Sequence, residues 1–105
     1  MTEYVARRDS RRCPSHPGRL LRELIPATGR TRAQIAALLG ISRQHLYDLV
    51  GERKPVTAAV AVRLGKLFGD GAEIWLHMQG AHDTWWAERR LAKSLRKIPT
   101  LRSAA

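Results

Sequence analysis

Residues 31–50, TRAQIAALLGISRQHLYDLV, read as two short helices joined by a tight turn at Gly40. Thr31 and Gln34 have the spacing of a capping box: the Thr31 hydroxyl can accept from the amide of residue 34, and the Gln34 side chain can reach back to the amide of Thr31. The first helix of the pair therefore has a sharp start. Ile35, Ala36, Leu38 and Leu39 give it an apolar stripe at helical spacing, and Gly40 supplies a turn where a side chain would resist positive φ. Ser42 is placed to cap the next helix, whose Leu46, Leu49 and Val50 face inward and leave Arg43, Gln44, Tyr47 and Asp48 on the opposite surface. Ala36 is small where the two helices must cross, and Leu46 fills the angle between them. An ordinary helical hairpin shares the apolar stripe but does not need small residues at these offsets together with a polar first turn. The stretch fits a helix-turn-helix unit whose second helix enters a DNA groove.

Length and charge frame this reading. A chain of 105 residues has room for one domain, since domains commonly hold about 100–150 residues. Its formal charge is +10, from 19 Lys and Arg against 9 Asp and Glu, and half of the net excess falls in residues 85–105. Such an excess favours an anionic partner, either nucleic acid or an acidic protein surface. The single cysteine, Cys13, excludes an intrachain disulfide and suits a reducing compartment. The apolar runs 35–39 and 58–62 are far shorter than the roughly 20 residues that span a bilayer. No apolar stretch follows the first arginines, so the expectation is a cytoplasmic protein without membrane association.

Three segments follow in order. Residues 1–15, polar and without a sustained period, read as a mobile basic arm, able to follow a phosphate backbone or simply to remain solvated. Residues 16–84 read as an all-α domain for DNA binding and dimerisation. Its first helix begins at His16-Pro17-Gly18, carries Leu20, Leu21, Leu24 and Ile25 on one face, and ends at Pro26. After the helix-turn-helix unit, Gly51 is a natural stop and Arg53 and Lys54 place two cations in the following loop. Thr57 caps a fourth helix whose Val60, Ala61, Leu64, Leu67 and Phe68 complete the core before Gly69. A fifth begins at Asp70 or Gly71, with Glu73 in its first turn. It is apolar over more than one face, and Trp75, Met78, Trp85 and Trp86 are the expected dimer interface. Gly80 interrupts its helix propensity. Residues 85–105 read as a basic amphipathic helical extension, in which Ala87, Leu91, Leu95 and Ile98 recur among Arg89, Arg90, Lys93, Arg96 and Lys97.

The segments HPGRLLRELI, QIAALLGISRQHLYDLV, VTAAVAVRLGKLFG and EIWLHMQGAHD, in this order and spacing, resemble the HigA family of antitoxins within the lambda-repressor-like helix-turn-helix superfamily. The resemblance implies a five-helix fold, and a dimer that binds operator DNA, represses its own operon and neutralises a HigB-type mRNA endonuclease toxin. It places the DNA surface on Gln34, Ser42, Arg43, Gln44 and Tyr47, with flanking phosphate contacts from Arg53, Lys54 and Thr57. The chemistry of these side chains agrees: Arg can chelate guanine O6 and N7, Gln can pair with adenine N6 and N7, and Lys and a helix N-terminus suit phosphate. The chain departs from the family where Gly51-Glu52 replaces a common Asn-Gly turn, at Gly80, and in its basic end.

Rival readings have weaker support. Cys13 and His16 have C-x-x-H spacing and His77 and His82 lie on the fifth helix, but compact zinc sites show tighter paired ligands, so no metal or other cofactor is expected. Asp48 and Glu52 are a charge-balanced helix end rather than a catalytic pair, and nothing points to an enzyme. Two alternatives to an antitoxin remain: a stand-alone transcriptional regulator with the same fold and no toxin, and an RNA-associated protein using its basic end.

Overall fold

A computed structural model describes residues 11–102 of the chain. The described residues form helices and no strand: α1 (Pro17–Ala27), α2 (Arg32–Leu39), α3 (Arg43–Val50), α4 (Ala58–Phe68), α5 (Ala72–Arg90) and a four-residue α6 (Ala92–Leu95). The five expected helices are present. Each of the first four starts on a side-chain acceptor. His16 Nδ1 takes the Gly18 amide at 2.9 Å, Ser42 Oγ takes that of His45 at 3.0 Å, and Thr57 Oγ1 takes that of Val60 at 3.3 Å. Thr31 and Gln34 form the reciprocal capping box, at 3.1 and 2.9 Å. α5 and the short α6 start without one, and at α5, which follows Gly71, Glu73 is left to offset the dipole. Pro26 sits in the last turn of α1 rather than at its end.

The core is one cluster drawn from every helix but α6. Leu21 and Ile25 of α1 meet Ile35, Ala36 and Leu39 of α2, Leu46, Leu49 and Val50 of α3, and Val60, Ala61 and Leu64 of α4, with Val56 and Trp75 closing it. α4 lies along α5, α1 rests on α3 and α5, and α2 is held between α3 and α4. Gly18 lets α1 approach so closely because a Cβ there would collide with the Leu49 carbonyl oxygen. Two expectations are corrected. Leu38 lies outside the stripe and is 58% exposed. Trp75 is fully buried in the core of its own chain, tilted against Phe68, with its indole N–H donated to Asp70 Oδ1 at 3.0 Å. A side chain sealed inside one subunit cannot form a dimer interface.

The ends also differ from expectation. Residues 1–10, most of the expected arm, lie outside the described residues, whereas Cys13 and Pro14 are fastened to α5. His82 Nδ1–H donates to the Pro14 carbonyl at 2.8 Å and lies 3.5 Å from Cys13 Sγ, while its ring meets that of His16 edge-on at 5.2 Å. The basic amphipathic helix expected from residue 85 is not a separate unit: α5 runs through that position to Arg90 and breaks at Leu91. Beyond α6 the amides of Lys97 and Ile98 reach back only three residues, the tightened ending of a helix that meets Pro99. Leu91, Leu95 and Ile98 are exposed, so no apolar surface holds their helical register.

Burial holds the His16 imidazole below the ordinary histidine value near 6.5, and the charge of the neighbouring His82 acts in the same direction, against smaller opposing effects of Glu52, Lys54 and Asp83. The unfolded chain therefore takes up a proton at His16 more readily than the folded one. The stability this contributes is complete above the ordinary value and is lost as pH falls through the lower folded value. Between about pH 8 and about pH 5, the urea midpoint should fall further for the wild type than for His16→Asn, whose amide keeps a cap acceptor but does not titrate. Equal falls would remove His16 as the cause.

Candidate nucleic-acid interface

The turn between α2 and α3 sets how α3 is presented. Gly40 has φ 73° and its amide returns to the carbonyls of Ala36 and Ala37, closing α2 in a left-handed cap. From α4, Arg63 donates to the Leu39 carbonyl at 2.7 Å, satisfying a further oxygen of the helix end. Leu46 and Leu49 are fully buried, which pins the inner face of α3. Its first turn is thereby turned outward: Ser42, Arg43 and Gln44 are exposed, and Tyr47 one turn later is 45% exposed. The Arg32 guanidinium lies 5.3 Å from the centroid of the Tyr47 ring, tying the start of α2 to the outer face of α3.

Asp48 departs from its expected place on that surface. It is buried, and its carboxylate is where three of the expected DNA-contacting residues converge. Oδ1 accepts from Gln44 Nε2 at 3.0 Å and from Arg53 Nε at 3.1 Å, while Oδ2 pairs with Lys54 Nζ at 3.4 Å. Arg53 also donates through Nη2 to the Tyr47 carbonyl at 3.2 Å. The hydrogen bond from Arg53 is the largest influence holding the Asp48 carboxyl below the usual carboxylate range, with Gln44 and Lys54 adding to it against the cost of burial. Gln34 and Thr57 lie outside this network, each capping its own helix. Because Gln34 Oε1 is held by the Thr31 amide, the free part of its side chain is the NH₂ group, a donor suited to phosphate or to a base acceptor.

The loop carrying Arg53 and Lys54 is braced from both sides. Glu52, not Gly51, takes the left-handed conformation, with φ 61°. Its carboxylate accepts from Arg22 of α1 at 2.8 Å, and the same guanidinium donates to the Val50 carbonyl, so α1 holds the strained residue in place. On the other side, the buried Gln79 of α5 accepts the Val56 amide at 2.7 Å and donates to Asp83 Oδ1 at 2.9 Å. Arg22, Arg63 and Gln79 thus brace the backbone of the candidate surface from α1, α4 and α5. Only Gln79 carried a signal in the sequence, as a polar residue one turn beyond Trp75 with an acid four residues further on.

Of the expected dimer residues, Trp86 is 46% exposed near the C-terminal end of α5, and Met78 and Trp85 are half-buried. Trp85 and Trp86 meet edge-on at 5.0 Å, and the Arg89 guanidinium lies 3.5 Å over the Trp85 ring. Among the described residues no group of three or more His, Cys, Asp or Glu is arranged to hold a metal ion, and no helix is long and apolar enough to cross a membrane.

No protein-family model matches the chain. The virulence-associated protein I of Dichelobacter nodosus is 37% identical over 75 residues, 70% of this chain and 69% of that protein. Among solved structures, an addiction-module antidote protein of the HigA family from Coxiella burnetii superposes with a TM-score of 0.76 at 32% identity, covering 87% of this chain and 100% of that one. The Pseudomonas aeruginosa antitoxin HigA, solved with the higBA promoter, gives a TM-score of 0.77 at 30% identity over 85% of this chain and 99% of the other. The two HigA proteins are antitoxins, and YbaQ of Escherichia coli K12, 31% identical over 86% of this chain and 82% of that protein, is an HTH-type transcriptional regulator; none of the three is an enzyme. The matches extend well beyond the helix-turn-helix to cover most of both chains, and the chain belongs to the HigA family of antitoxins, among the helix-turn-helix regulators of the XRE type.

Proposed function

We propose that this chain is the antitoxin of a type II toxin–antitoxin module: a dimer that binds operator DNA, represses its own operon and neutralises a HigB-type mRNA endonuclease. The observation that carries this reading is the outward first turn of α3, with Arg43 and Gln44 exposed beside the cationic loop of Arg53 and Lys54, in a fold whose P. aeruginosa relative is solved with its promoter. Arg43, Gln44 and Tyr47 read base edges, Ser42 and Gln34 lie at helix starts facing the backbone, and Arg53, Lys54 and Thr57 hold phosphates.

Arg43→Ala and Gln44→Ala should each cost about 1–3 kcal/mol at a specific half-site and relax base preference there. Arg53→Ala and Lys54→Ala should weaken every sequence and reduce the log–log salt slope by roughly 0.9 for each phosphate that is no longer neutralised, with any loss of base preference, transmitted through Asp48, smaller than that of Gln44→Ala. Titrations of specific and unrelated duplexes over a range of salt separate the two classes, and a uniform loss from all four changes would mean that α3 is not the reader.

Dimerisation uses the C-terminal half of α5, where Trp86 leads and the half-buried Trp85 contributes, with Met78 at the edge. A two-fold pair joined there presents two α3 helices about 34 Å apart, one turn of the duplex, and reads a palindrome. Sedimentation at micromolar concentration should give a dimer for the wild type and a monomer for Trp86→Glu. A monomeric wild type would overturn the arrangement.

Repression by a toxin–antitoxin complex requires that the toxin be held while α3 occupies the groove, so the toxin surface lies elsewhere. An endonuclease that binds RNA is itself basic, and the cationic segment around Arg89 and Arg90 would repel it. The mixed-charge face of α1 suits it better. Arg22 is held at Glu52 there, which leaves the exposed Arg19 and Glu23. Coexpressed with a toxin from the adjacent gene, Arg43→Ala/Gln44→Ala should still rescue growth, whereas Arg19→Ala/Glu23→Ala should not. A folded DNA-binding mutant that fails to rescue would show that the surfaces overlap.

A further inference from the structure

We propose that Asp48 is a positioning residue for base recognition, holding the Gln44 amide in the one orientation that selects adenine against guanine; this rests on the DNA reading of α3. The Asp48 side chain is only 13% exposed and does not itself face the duplex. It reaches the groove through Gln44, whose Nε2 lies 3.0 Å from Oδ1. An ionised carboxylate can only accept, so the Gln44 NH₂ group must point toward Asp48, which fixes how the amide is turned. One N–H is then engaged inside the protein, and what remains for a base is the carbonyl Oε1 and a single N–H.

That remainder is an acceptor beside a donor. The major-groove edge of adenine offers the complement, the N6 donor and the N7 acceptor, whereas guanine offers two acceptors, O6 and N7. A freely turning glutamine can bring both N–H groups to guanine, and a glutamine tethered by one N–H cannot. The tether is firm because Asp48 is itself held: Arg53 Nε reaches the same Oδ1 at 3.1 Å, Lys54 Nζ lies 3.4 Å from Oδ2, and Arg53 is secured a second time at the Tyr47 carbonyl. The same geometry sets one carboxylate against two loop cations. Removing it raises the positive potential offered to phosphates while releasing the amide, so base selectivity and general affinity move in opposite directions. A purely structural role would lower both.

The test begins with the full chain and a duplex library randomised over about 20 base pairs, two turns of the helix. The wild type selects a site from it, and the base position that Gln44→Ala relaxes is identified. Wild type, Asp48→Ala and Asp48→Asn are then titrated against the selected duplex, its A·T to G·C variant at that position, and an unrelated duplex, with thermal unfolding measured alongside. Asp48→Ala should lower the adenine-over-guanine preference about fivefold or more while binding the unrelated duplex at least as tightly as the wild type. Asp48→Asn keeps an oxygen where Gln44 and Arg53 converge and should hold the preference within about twofold. A folded Asp48→Ala with unchanged preference, a lost preference in folded Asp48→Asn, or a wild-type preference for guanine at this position would overturn the proposal and leave α3 as the reader. Failure of the wild type to select any site would instead remove the DNA reading itself, and this inference with it.

Discussion

The last carbonyls of α2 must be satisfied within a turn so tight that only three residues separate α2 from α3, and the fold is arranged around that requirement. Gly40 meets part of it by turning left-handed, returning its own amide to Ala36 and Ala37. Arg63 meets another part from a different helix, donating to the Leu39 carbonyl. Because Arg63 belongs to α4, the α2–α3 angle and the seating of α4 cannot be set independently. A Cβ at Gly40 would lie 2.6 Å from Arg63 Nη1, so the glycine serves the backbone conformation and the incoming guanidinium at once. The outward presentation of the α3 first turn follows from that junction, and the cluster around Leu46 and Leu49 holds it.

Most of this was legible in the sequence because it is local. A capping box, a glycine turn and an apolar period are each contained within a few residues, and Thr31, Gly40, Ser42 and Thr57 all behave as their spacing implies. What was not legible depends on convergence from a distance. Helical periodicity puts Asp48 on the outer side of α3, but the loop that follows folds back so that Arg53 and Lys54 cover it. A carboxylate surrounded by three donors can be buried where an unpaired one cannot. Trp75 shows the reverse difficulty. Its apolarity indicates that it must be covered, but whether by its own chain or by a second copy is decided by where α4 and the Asp70 acceptor lie. Leu38 has the same chemistry as Leu39 one position later and the opposite exposure, because a hundred-degree step around α2 separates them.

The candidate interface divides in the same way. The exposure of Arg43 and Gln44 was legible from their place in the first turn of a capped helix, whereas the residues that hold their surroundings come from α1, α4 and α5. Arg22 braces Glu52 in a backbone conformation that side chains rarely adopt, and Gln79 supplies an acceptor to the buried Val56 amide. Left without that acceptor the amide would cost about 1–3 kcal/mol, a large share of the stability of a small domain. The loop cations are therefore presented from a fixed backbone, although their own side chains are long and exposed.

Gly80 gives α5 a character that its unbroken course conceals. It stands in the middle of a 19-residue helix with open space where a Cβ would be. On its N-terminal side Trp75 and Gln79 are buried, whereas on its C-terminal side exposure rises until Leu91 ends the helix. In the terms of helix–coil equilibria, the inner half carries the nucleus, stabilised by tertiary packing, and the outer half is propagation from it. Gly80 is the weakest link in that propagation, by about 1 kcal/mol relative to alanine. The tryptophan pair at the far end thus inherits its order across a glycine, so a partner that covers Trp86 also completes the folding cooperativity of the helix that presents it.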